Sequence, residues 1–194
     1  MFRARHLLLM GARLILIVSI LVLCWLPARA DQTDPRLDDL FTRLFLAESP
    51  ADAAFIETVI WNIWFRYDGD NDDIRRLMSQ GMAAAQEGLL EVAEDSFSQI
   101  VAQEPDFAEG WNQRATIRYM RGDYAGSIAD IQAVLALEPR HFGALSGLGL
   151  CYVELGELER ALAAFEATLE IHPHAPGAAA NVALLKEFLA GDPI

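Results

Sequence analysis

The sequence predicts an all-α chain built by repeating one helical hairpin, and three observations carry that prediction. Pro105, Pro139 and Pro173 stand 34 residues apart, and proline ends helices because it has no N–H to continue the ladder. Gly88, Gly122 and Gly156 recur at the same interval, one ahead of each proline, where glycine can close a first helix in the left-handed conformation. The segments on either side carry apolar residues at helical spacing, most clearly Leu148, Tyr152, Leu162 and Phe165, which mark one face of each helix.

The most regular unit runs from Phe142 to Pro173, FGALSGLGLCYVELGELERALAAFEATLEIHP. Its skeleton is Leu145, Leu148-Gly149, Tyr152, Gly156, Ala161, Phe165 and Pro173. Gly149 and Ala161 leave room for two helices to approach, and the large residues fill the space between them. The order and spacing resemble the tetratricopeptide repeat, W-x2-L-G-x2-Y, A-x3-F and P, with Leu145 where Trp is usual. The resemblance implies a right-handed solenoid of helical hairpins with repeats at 74–107, 108–141 and 142–175. The first repeat keeps Gly81, Gly88, Ala93, Phe97 and Pro105 but has Leu77 for Trp. The second keeps Trp111, Gly122, Asp123-Tyr124, Ile131 and Pro139, and departs at Ser127, Arg114 and Arg118. Gly147-Leu148-Gly149 lacks the third glycine and preceding strand of a nucleotide loop.

Residues 1–30 read as a cleavable export signal. Arg3, Arg5, His6 and Arg13 precede the apolar run Leu14 to Leu26, and Ala28-Arg29-Ala30 supplies an A-x-A end. The run is shorter than the roughly 20 residues of a membrane span. Leu23 stands where a lipoprotein needs a small residue before Cys24. Cleavage would make Asp31 the amino terminus of a periplasmic protein and leave Cys151 as its one thiol, excluding an internal disulfide. Loss of Arg3, Arg5, Arg13 and Arg29 takes the formal charge from −13 to −17. So acidic a surface repels nucleic acid and anionic lipid, and suits a protein or peptide partner.

Residues 31–73 are expected to form an amino-terminal helical hairpin with the length of a degenerate repeat. Leu37, Leu40, Phe41, Leu44 and Phe45 mark one helix; Phe55, Ile56, Val59, Ile60, Trp61, Ile63, Trp64 and Phe65 give a second helix an unusually wide apolar arc. That arc is expected to pack on the first repeat, with exposure of Trp61, Trp64 or Tyr67 as an interface. Asp68 to Asp73 begins like a calcium loop, but Asp73 replaces the glycine at its sixth place and Ser79 the acid at its twelfth; helix-capping acids are the better reading. Residues 176–194 are expected to supply a capping helix over Pro176 to Leu189 and a tail.

Arg114 and Arg118 share a helix face. If buried they need partners, and Asp130 and Asp95 are the expected ones. His172-Pro173-His174 lacks a third ligand nearby, so no metal is assigned, and no cofactor. The sequence shows no catalytic constellation. An enzyme is therefore not expected.

The resemblance implies binding on a concave face lined by the first helix of each repeat. Its matching positions are Met78, Met82 and Ala85; Asn112, Thr116 and Tyr119; Ser146, Leu150 and Val153; with Asn181 and Leu184 extending the groove. Chaperone-binding members of the family grip a terminal carboxylate with Lys, Asn and Arg; here those places hold Met78, Met82, Gln113, Gly143 and Gly147. The expected function is an envelope adaptor that binds a partner polypeptide. The alternative is a structural module forming a homodimer through Trp61 and Trp64.

Overall fold

The computed structural model describes residues 31–191, so the expected export segment lies outside the described residues. After a 3-10 turn at Asp31–Thr33 come α1 (Leu37–Phe45), α2 (Pro50–Trp64), α3 (Asp72–Gln86), α4 (Leu90–Gln103), α5 (Ala108–Met120), α6 (Tyr124–Leu137), α7 (Phe142–Glu154), α8 (Leu158–Ile171) and α9 (Pro176–Leu189). No strand occurs among the described residues. From α3 onward each helix packs on the next, giving a solenoid of hairpins.

Each repeat turns in the same way. Gly88, Gly122 and Gly156 have φ of 75°, 78° and 72°, a region in which a Cβ would be strained. The residue after each glycine donates its N–H back across the turn, as from Glu157 to Tyr152 O at 2.8 Å and from Asp123 to Arg118 O at 2.9 Å. Within the hairpins, small faces large. A Cβ on Gly149 would stand 2.7 Å from Phe165 ring atoms, and one on Gly81 the same distance from Phe97. The second repeat uses Ala115 and Ile131 at these places, within one core cluster. Its unexpected Ser127 is buried and satisfied: the hydroxyl donates to Ala115 O at 2.8 Å and accepts from Cys151 Sγ at 3.3 Å. Burial pushes the Cys151 thiol up.

Arg114 and Arg118 are structural. Arg114 grips Asp130 through two bonds of 2.8 and 2.7 Å, and Arg118 Nη1 lies 3.1 Å from the same carboxylate. Asp130 is 2% exposed, so two guanidinium groups replace its lost hydration. Arg118 also meets Glu94 at 3.0 Å. Glu94, and not Asp95, is the second acid, because Asp95 stands one helix position on and faces solvent.

The amino-terminal hairpin departs from expectation. Its apolar arc forms a cluster joining Leu37, Phe41, Leu44, Ile56, Ile60 and Trp64 to Phe142 at the start of α7. The hairpin crosses the three loops that hold Pro105, Pro139 and Pro173. Gln32 donates to Asp106 O at 2.5 Å and Tyr67 to Glu104 at 2.6 Å at the first loop; burial, then Glu104, pushes the Tyr67 phenol up to about 12. Arg140 in the second loop meets Asp38 at 2.7 Å and lies 4.3 Å over the Phe41 ring. At the third, His172 Nε2 donates to Glu57 at 3.2 Å and His174 Nε2 to Ala47 O at 2.8 Å. Only Tyr67, beyond α2, joins the core of the first repeat. The hairpin thus lies across the loop edge, with Phe142 and Ile171 from the repeats completing its cluster.

The expectation that the acids of Asp68–Asp73 cap α3 is corrected: the cap is Asn71, whose side chain accepts from Asp73 N at 3.1 Å, and Asp72 and Asp73 stand in the first turn of the helix. Helix α9 covers α8 through Ala178 and Leu185. Its outer side carries Lys186, paired with Glu166 at 2.8 Å, but also exposed Leu184 and Phe188.

Candidate functional site

Helices α5 and α7, the first helices of adjacent repeats, flank the floor residues Ser127 and Ile131 of α6 and leave an open cavity of about 440 Å³. It brings together Trp61, Asn112, Thr116, Tyr119, Ser146 and Leu150 of the predicted residues. Their common phase explains this, since Asn112 and Ser146, like Thr116 and Leu150, are one 34-residue period apart. Gly143 and Gly147 keep the α7 wall low. A Cβ on Gly143 would fall 2.5 Å from Trp61 Cη2, so the glycine admits the indole that closes one end.

Trp61 is half-buried, with Nε1 donating to Glu57 at 3.2 Å and its ring edge-on to Phe142 at 5.4 Å. Trp64 does not have the exposure expected of an interface residue. It is 2% exposed and stacks flat on His141 with centroids 4.0 Å apart, because α2 turns this residue toward the solenoid.

Beneath the cavity lies a buried carboxylate. Glu109 accepts from Asn112 Nδ2 at 3.1 and 3.2 Å, from Gln113 Nε2 at 2.6 Å and from His141 Nε2 at 3.3 Å. His141 Nδ1 accepts from Ala144 N at 3.0 Å, so its proton is assigned to Nε2. The Asn112 amide nitrogen is thereby engaged, while its Oδ1 receives no bond from the described residues. The sequence reading missed Glu109, whose place holds Arg75, Gly143 and Gly177 in the other units and so follows no pattern.

At the open end Tyr119 and Tyr124 both donate to Glu154, at 3.4 and 3.2 Å. Burial and the carboxylate push both phenols up. Phe65, also missed, lines this cavity and a neighbouring one of about 530 Å³ that holds Met78 and Met82. Asn181 stands apart and donates to Gly177 O at 2.8 Å. It is out of phase, since Ala180 is the residue one period beyond Ser146. No group of three metal-ligating side chains occurs among the described residues.

The tetratricopeptide repeat profile matches residues 78–135 and 113–176, which together span just over half of the chain. The chain belongs to the tetratricopeptide repeat family. A TPR repeat-containing protein of Rhizobium etli is 38% identical over 160 residues, 81% of this chain and 76% of its own. Mouse tetratricopeptide repeat protein 36 is 33% identical over 79 residues, 36% of this chain and 42% of its own. Among solved structures, the first TPR of Spaghetti (RPAP3) bound to the HSP90 peptide SRMEEVD superposes with a TM-score of 0.60, at 22% identity over 62% of this chain and 96% of that one. MamA gives 0.59 at 25% identity, over 63% and 72%. In this TPR chain the α5–α7 cavity is thus carried by the family's own repeat unit, whereas the hairpin that closes it precedes the matched region.

Proposed function

We propose that the chain is a non-enzymatic binding protein of the periplasm that holds an extended segment of a partner polypeptide between α5 and α7. The observation that carries this reading is the open cavity itself, with apolar walls and few polar groups, the usual composition of a binding cleft. Asn112 Oδ1 offers an acceptor for a peptide N–H. None of the residues lining the cavity is charged, so a partner's terminal carboxylate meets no cation there. That distinguishes the expected ligand from the acidic SRMEEVD peptide in the RPAP3 complex. Export rests on Arg3, Arg5, the apolar run and Ala28-Arg29-Ala30; amino-terminal sequencing of the protein from its native host should begin at Asp31, and retention of Met1 would contradict it.

Gly147→Leu provides the test of the groove. The new side chain enters the cavity, and its Cβ meets only Ile131 Cδ1 at 3.6 Å, an ordinary contact, so the fold survives. Substitution of Asn112 is less clean because it strips donors from buried Glu109. Capture of the partner from envelope extract should fall with Gly147→Leu while the melting temperature holds. Undiminished capture would refute the groove.

A further inference from the structure

The open end of the cavity, at Tyr119, carries two further residues, Tyr124 and Glu154, that the groove reading leaves unused. Tyr119 stands in the last turn of α5, Tyr124 begins α6 and Glu154 ends α7. The tyrosine rings lie 5.6 Å apart at 56°, and both hydroxyls bond one carboxylate. Glu154 is exposed and pairs with no cation among the described residues, whereas the buried acids Asp130 and Glu138 each meet arginine. Two phenol donors leave carboxylate lone pairs free, and two ring faces beside a negative charge favour a positive one.

We propose that Tyr119, Tyr124 and Glu154 receive a lysine or arginine side chain of the partner segment whose apolar residue enters the cavity toward Trp61. This rests on the groove reading and gives its ligand a chemistry, apolar and basic. The formal charge of −13 favours the same class by attracting cationic segments. The geometry also sets a register. Asn112 and Tyr119 are seven residues apart on one helix, about 10 Å at 1.5 Å per residue, which an extended chain covers in about three residues. The basic side chain therefore lies about three positions from the apolar anchor.

Short random peptides displayed on phage, selected against the full chain and remade by synthesis, test this by fluorescence anisotropy. Selected sequences should pair a bulky apolar residue with Lys or Arg at that spacing. Replacing the basic residue by Gln should weaken binding about five- to tenfold at low salt. Glu154→Gln should produce the same loss, with no further loss when both changes are combined. The pair Tyr119→Phe and Tyr124→Phe keeps the rings and should retain the basic preference, whereas alanine at both should lose it. Peptides that bind without a basic preference, or with one that Glu154→Gln leaves intact, overturn the proposal but leave the groove standing. Peptides that bind Gly147→Leu as well as wild type overturn both.

Discussion

A methyl group added at Gly149 would stand 2.7 Å from Phe165, whereas one added at Gly177 would meet nothing within 4 Å. Gly149→Ala should therefore destabilise the chain by about 1–3 kcal/mol through overpacking. Gly177→Ala should instead stabilise α9 by up to about 1 kcal/mol; urea unfolding measures both. At Asp130 the effect is electrostatic. Its removal leaves Arg114 and Arg118, only 13% and 22% exposed, short of their shared anion. Asp130→Ala should cost about 2–3 kcal/mol, toward the low side for a buried pair because both guanidinium groups retain some water. Gly149 and Arg114 were legible in the sequence because each departs from, or defines, a fixed place in the repeat. Glu109 was not: one position gives no warning that a carboxylate will be buried until Asn112, Gln113 and His141 are seen around it.

The helices themselves were readable, since period and punctuation are local, and α9 runs over the expected residues. The docking of the α1–α2 hairpin was not readable. A wide apolar arc says that a helix must be covered but not by which surface, and the covering groups at Phe142 and His172 lie far away in sequence. Trp64→Ala should cost about 3–5 kcal/mol and increase amide exchange at the loops of Asp106, Arg140 and His174, which the hairpin crosses. Acid should weaken the same docking. The bond from His172, then that from Trp61, holds the Glu57 carboxyl below its ordinary 4.5. Its contribution is whole above about pH 4.5 and is lost as pH falls through the depressed value. In Glu57→Gln that part of the acid dependence should vanish from stability measured across this range.

Repeats that touch only their neighbours can fray one at a time, but here one hairpin ties three successive loops together. The whole molecule should thus unfold in one cooperative transition, and Trp64→Ala should separate it into more than one, as differential scanning calorimetry would record. The same hairpin decides the shape of the groove, for Trp61 and Phe65 turn a continuous concave face into two cavities. The family unit made the groove-lining positions Thr116, Ser146 and Leu150 predictable; the end wall lay outside the repeat and beyond its pattern. A photo-crosslinking residue at Thr116, in the cavity, compared with one at exposed Ala129 on α6, shows where the partner sits. Binding between α5 and α7 gives a partner adduct at Thr116, mapped by mass spectrometry, and none at Ala129. Adducts at Ala129, with Thr116 silent, would contradict it.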